Sequence, residues 1–261
     1  MNIIFSRMIG KYHRLLAYNF YKRTVIINTE KPILSFTFDD APKTAFDSGG
    51  NILKQHGAKA TFFVALGLLG IRTEVGLIAS SDDLLKAFEA GHELGCHTFN
   101  HLNTWNTKTD LFMESVANNR RELSKYLPGA EFKTFSYQIS VPRLRIKFRL
   151  EKYFLCCRGG GQAANIGSAD LNLLKAYFID KRNNLDFGQI KGIIDYNASR
   201  RGWLIFATHD VADNPSPFGC TPKFFEKVAE YAARSGSLLL SVREACEKIQ
   251  SLKIRHTLAV P

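Results

Sequence analysis

The chain is short of acid near its start, of paired cysteines and of long apolar runs. No Asp or Glu occurs before Glu30. No apolar stretch approaches the roughly 20 residues that a membrane-spanning helix needs, so a spanning helix is not expected. The five cysteines are odd in number, include the adjacent pair Cys156 and Cys157, and contain no C-x-x-C spacing. That pattern excludes a disulfide framework and a structural zinc site, and points to a reducing compartment. Arg7, Lys11 and Arg14 break every early apolar run before it reaches the length of a secretory h-region, so the expected location is cytoplasmic. An arginine-rich tract, a zinc finger and an aromatic RNA-binding signature are also missing. The net charge of +11 is therefore not read as a sign of a nucleic-acid partner.

What is present fits a globular chain. Hydrophobic residues make up 45% and charged residues 23% of 261, enough for one large domain with a sizeable core. No Pro/Gly/Ser-rich linker divides it. Residues Ile3 to Arg23 read as a basic amphipathic helix, with Ile4, Met8, Tyr12, Leu15 and Leu16 on one face and Arg7, Lys11, Arg14, Lys22 and Arg23 supplying charge. Such a helix either packs on the domain or lies on an anionic membrane surface. The second reading would hold the protein at the inner membrane face.

Strand-like and helix-like segments alternate. Strands are expected at Val25 to Asn28, Ile33 to Phe38, Ala60 to Ala65, Glu93 to Cys96, Thr134 to Tyr137, Phe154 to Cys157, Tyr177 to Ile179, Trp203 to Thr208 and Ser237 to Ser241. Helices are expected at Asp47 to His56, Ser81 to Ala90, Asp110 to Tyr126, Phe187 to Arg201 and Thr221 to Ser235, with Pro142 to Lys152 a basic helix or loop. This order implies a parallel α/β sheet or barrel with helices outside. The organisation is read as a lead-in over residues 1–29, a domain over 30–250 and a tail over 251–261.

The polar residues of interest follow strands: Asp39 and Asp40, His97, and His209 with Asp210. In a parallel barrel such ends share one face, where barrel enzymes place their chemistry. His97 and His101 stand four apart, which on a helical turn puts both on one side of a metal ion. Asp40 can add an oxygen ligand. Two imidazoles and one carboxylate leave positions open, the donor set of a catalytic divalent-metal site. Zinc is the default, and cobalt, nickel or manganese also fit. Asp39 is then placed to take a proton from water and His209 to give one to a leaving group. For Asp39 and Asp40 the competing reading is an ordinary turn before Pro42; for His209 it is a core histidine beside Asp210. The loop Asp210 to Pro222 is either a border of the site or a plain connection.

Three segments carry a family resemblance. Thr37-Phe38-Asp39-Asp40-Ala41-Pro42 resembles the first motif (TFDDGP) of the NodB-homology polysaccharide deacetylases, carbohydrate esterase family 4. His97-Thr98-Phe99-Asn100-His101 resembles their second motif, H-[ST]-x-x-H, and Phe206-Ala207-Thr208-His209 resembles the late histidine motif. Over roughly residues 30 to 245 the resemblance implies a single-domain, distorted (β/α) barrel. It implies Asp39 as base, His209 as acid, and Asp40, His97 and His101 as metal ligands, with Thr98 bracing the loop between the histidines. It implies removal of an N-acetyl (N-acyl) group from an amino sugar of a bacterial surface polysaccharide or its precursor, which the cytoplasmic reading makes a lipid-linked one. Three departures stand out. Ala41 replaces a glycine. The strand Thr134 to Gln138 lacks the third-motif Arg that orients the base, and Arg158 is the candidate substitute, the competing reading being a solvated surface Arg. The fourth motif is not recognisable. A sugar-binding member without catalysis, or an amidase on a non-sugar N-acyl substrate, are the alternatives.

Overall fold

The computed structural model describes residues 12 to 258, with side chains to Leu252. A short helix α1 (residues 12–19) leads to β1 (Thr24–Ile26) and β2 (Ile33–Phe38). A π-helical turn (Ala45–Gly50) runs into α2 (Asn51–Gln55), followed by β3 (Ala60–Val64), β4 (Arg72–Thr73), β5 (Gly76–Leu77), α3 (Ser81–Glu89) and β6 (Glu93–Cys96). Next come α4 (Thr109–Tyr126), β7 (Thr134–Ser136), α5 (Leu144–Leu150), β8 (Cys156–Arg158), β9 (Ser168–Asp170) and β10 (Tyr177–Phe178). The chain closes with α6 (Phe187–Ser199), β11 (Trp203–Thr208), α7 (Pro222–Arg234), β12 (Leu238–Leu239) and α8 (Val242–Leu258).

The main sheet is wholly parallel, in the order β10-β11-β2-β3-β6-β7-β8, with β12 added along β2. Residues 171–176 bridge its two edges, since Leu174 exchanges backbone hydrogen bonds with Cys157 and Gly159, and Gln162 N donates to Ala176 O. The result is the distorted barrel that the alternation implies. The central strands β2 (ILSFTF) and β11 (WLIFAT) are buried at every position, as parallel strands covered on both faces must be. Helix starts follow local chemistry. Ser80 with Asp83 and Asp186 with Gln189 form capping boxes, and Thr221 caps α7 ahead of Pro222.

The register sets the site. Trp203 to Thr208 pair residue by residue with Ile33 to Phe38, so β2 and β11 end side by side. Val64 pairs with Cys96, Cys96 with Phe135, and Ser136 with Arg158. Asp39, His97, Ser136, Arg158 and His209 therefore emerge at one end of the sheet.

Several expectations need correction. The lead-in strand β1 stops at Ile26, short of Asn28, and pairs antiparallel with β9, a strand with no clear sequence signal. The segment beginning at Asp47 starts earlier, as a π-helical turn from Ala45. Residues 242–258 form a helix held to the core by Val242, Ala245, Cys246 and Ile249, so the boundary drawn at 250 falls inside it. Ile4 and Met8 lie outside the described residues. Of the other residues assigned to one apolar face, Tyr12 and Leu15 point outward at 60% and 59% exposure, and the inward anchor is Ala17. All five cysteines are buried and unpaired.

Candidate active site

The turn after β2 is left-handed. Asp40 and Ala41 have φ of 58° and 55°. This twist frees the adjacent carboxylates from the alternation of a flat strand. Ala41 stands where the resemblance expects glycine, and its φ pays for the Cβ at about 1 kcal/mol. Ala41→Gly is therefore expected to raise stability by up to about 1 kcal/mol in a denaturant titration. A lower midpoint would mean that packing of the buried Cβ outweighs the strain.

The histidine pair is not on a helical turn. His97 continues β6, its N–H donating to Val64 O at 3.0 Å, and Thr98 and His101 have φ of 59° and 52°. Two left-handed residues, rather than helical spacing, bring the second imidazole back over the first. Thr98 Oγ1 accepts from Leu102 N at 2.9 Å, and Ser115 Oγ of α4 accepts from the N–H groups of Phe99 and Asn100. Gln138 Nε2 donates to His97 O at 2.6 Å. Gln138 thereby ties the segment after β7 to the backbone of the first histidine.

Asp40, His97 and His101 converge, with one ligand atom from each lying within 4.8 Å of the others. Nε2 of His101 and of His97 lie 3.0 and 3.5 Å from Asp40 Oδ1. His97 Nδ1 is 2.9 Å from Ser136 O, a carbonyl that can only accept, so Nδ1 carries the proton and the Nε2 lone pair faces Asp40. Burial pushes His97 down to about 4, which keeps it neutral at physiological pH. At His101 burial acts in the same downward direction but the neighbouring Asp40 carboxylate wins, and the net shift is upward. Burial raises Asp40, yet His101 and His97 together hold it well below the usual carboxylate range. Asp40 Oδ1 is buried without a well-formed hydrogen bond. A carboxylate oxygen facing an imidazole lone pair is a repulsive arrangement that a cation converts into ligation. The donor set fits a divalent ion.

Asp39 lies deeper, at 3% exposure, and Arg158 lies at 0%. Arg158 Nη2 donates to Asp39 Oδ1 and, at 2.5 Å, to Ser136 Oγ, while Ser136 Oγ donates to Asp39 Oδ1 at 3.2 Å. The guanidinium sits 5.2 Å from the Phe63 ring centroid and 5.3 Å from that of Phe178. Phe63 can occupy that place because its neighbour on β6 is Gly95, where a Cβ would collide with the ring. Burial alone would raise Asp39, but Arg158 outweighs it with help from His97 and His209, so Asp39 is held below 3.8 and ionised. A solvated Arg158 is ruled out by this burial.

His209 closes the group. Its Nδ1 lies 3.2 Å from Phe218 O, and its Nε2 points to Asp40 Oδ2 at 4.0 Å. Asp210 turns away and fixes the loop behind, accepting from Ser216 N and Ser216 Oγ. Five of the six expected side chains thus line one cleft of about 690 Å³ whose walls include Trp105, Gln138, Phe178 and Phe218, and the sixth, Arg158, is buried behind Asp39. Ser136 and Gln138 were not singled out as site residues from sequence. Their partners lie on other strands, and only the register reveals them.

A parallel barrel carrying an Asp–His–His cluster beside a buried Asp–Arg pair brings together the groups that metal-assisted hydrolysis uses. Residues 27–143 match the profile of the family described as polysaccharide deacetylase. That stretch runs from the lead-in to β2 through β7 and contains Asp39, Asp40, His97 and His101. Over 102 residues it is 30% identical to a peptidoglycan-N-acetylglucosamine deacetylase of Bacillus cereus, an alignment covering 38% of this chain and 43% of that one. The chain spans less than half the length of the curated relatives it matches. Its fold is like that of the peptidoglycan deacetylase PdaC from Bacillus subtilis, with TM-score 0.58, 13% identity and coverage of 89% and 98% of the two chains. It is also like that of a family 4 acetyl xylan esterase from Clostridium thermocellum in complex with a cobalt ion, with TM-score 0.57, 21% identity and coverage of 85% and 91%.

Proposed function

We propose that this protein hydrolyses the N-acetyl (N-acyl) group of an amino sugar in a bacterial surface polysaccharide or its precursor, with one divalent metal ion, zinc by default. The observation that carries the reading is the placement of a buried, arginine-paired carboxylate, Asp39, directly beside the Asp40–His97–His101 cluster and across from His209. The aromatic walls Trp105, Phe178 and Phe218 suit the faces of sugar rings.

A cation bound by Asp40, His97 and His101 supplies Lewis-acid activation of water and of the amide carbonyl. The chain's own residues move the protons. Asp39, ionised because Arg158 opposes the cost of its burial, accepts the proton of the attacking water. Arg158 and Ser136 hold it in one orientation while it does so. His209 keeps a proton on Nδ1 toward Phe218 O and, when doubly protonated, gives its Nε2 proton to the amine nitrogen as the carbon–nitrogen bond breaks. The products are acetate and the free amino sugar.

Asp39→Asn tests this assignment. The expected result is loss of acetate release by about 10²–10⁴-fold with metal content unchanged. Retained acetate release would remove Asp39 from the role of base.

A further inference from the structure

We infer that the outer surface of α1, together with the basic segment after Val141, docks on an anionic lipid bilayer and turns the cleft mouth toward it. The inference rests on the reading of this cleft as the deacetylase site and adds the form in which substrate arrives, on a lipid carrier at the membrane surface.

The helix is fixed to the barrel, so its orientation is defined. Ala17 is fully buried, and Lys147, with no exposed surface, donates to the carbonyls of Ala17 and Phe20 at 2.7 and 2.9 Å while pairing with Asp170. His13 meets Trp105 edge-on at 5.9 Å. Arg14 and Trp105 both line the cleft, so α1 lies on its rim. Among the described residues, little covers the outward face of the helix and the two residues that follow it. Tyr12, Leu15, Tyr18, Phe20 and Tyr21 are each 39–60% exposed. They are five of the fourteen large apolar side chains exposed among the described residues, gathered within ten positions.

The segment itself carries charge of one sign. No acidic residue occurs from 12 to 29, while Arg14 and Lys22 are exposed there. Tyr21 packs on Phe148 of α5 at 4.6 Å, which joins this surface to exposed Arg143, Arg145 and Lys152. Exposed tyrosines and leucines amid cations are the chemistry of a bilayer interface: the rings enter the headgroup layer and the cations meet lipid phosphate. No described helix is long and apolar enough to cross a membrane, so the contact is a surface one.

The test is co-sedimentation of the full chain with mixed phosphatidylglycerol–phosphatidylcholine vesicles and with pure phosphatidylcholine vesicles. Binding is expected to the anionic vesicles alone, to weaken in about 0.5 M salt, and to fall about tenfold or more in Tyr12→Ser/Leu15→Glu and in Arg145→Glu/Lys152→Glu. None of these residues lies in the cleft, so metal content should match the wild type and show that the site is folded. No binding, or binding that the variants leave unchanged, overturns the inference. So does a dimer in solution that Tyr12→Ser/Leu15→Glu splits without vesicle binding by the wild type, since a second copy then covers this face. Vesicle binding and acetate release are independent readouts, so failure of one leaves the other standing.

Discussion

Arg158→Met is expected to destabilise the protein by about 3–5 kcal/mol at neutral pH, because it leaves the Asp39 carboxylate buried without its partner. The loss should be measured by denaturant unfolding of chelator-treated protein, so that a bound cation does not compensate Asp39. The pH dependence has a definite sign. In the wild type the folded-state value of Asp39 lies below 3.8, so its contribution is present above that pH and is lost as the pH falls through the folded value. In Arg158→Met burial acts unopposed by the guanidinium and raises Asp39, so the cost of ionisation is felt at neutral pH and relieved by protonation. The gap between the two proteins should therefore narrow as the pH is lowered. Adding Asp39→Asn to Arg158→Met removes the buried charge and should recover most of the stability, but not acetate release. A single variant as stable and as active as the wild type would mean that Arg158 is neither partner nor orienting group for Asp39.

The second large effect is expected at His97. His97→Ala removes the neutral, fully buried imidazole proposed as a ligand, whose tautomer is set by Ser136 O. Metal content of the purified protein should fall from one equivalent to a trace, with affinity down by more than about a hundredfold. Acetate release should fall by about three orders of magnitude or more, because the Lewis acid leaves with its ligand. One equivalent of metal retained in His97→Ala would place the ion elsewhere.

These variants test parts of the site that differ in how far sequence alone could define them. Asp39, Asp40, His97, His101 and His209 follow apolar runs that a parallel barrel must end on one face, so their convergence was legible before any coordinates. The means of convergence was not. The four-residue histidine spacing points to a helical turn, whereas the chain uses positive φ at Thr98 and His101, a conformation that non-glycine side chains do not advertise. Arg158 was legible only as a candidate. Its pairing with Asp39 depends on the register of Ser136 with Arg158 and on Gly95 making room for Phe63, all of them long-range facts. The outward face of α1 was misread for a related reason. An amphipathic pattern locates a stripe, but the buried contact was chosen by Lys147, 130 residues away from Ala17. Helix α8 was missed because charged residues dilute its periodicity.

The central claim is that one chain-bound divalent ion and the Asp39–Arg158 pair together release acetate from an amino sugar. It is tested most directly by measuring acetate from N-acetylglucosamine oligomers with protein of known metal content, before chelation, after it, and after zinc is restored. The account predicts release at one equivalent of metal, none after chelation, and recovery on reloading. Protein that holds its full equivalent of metal, binds the oligomers and releases no acetate would contradict it, and would make the chain a sugar-binding protein without catalysis.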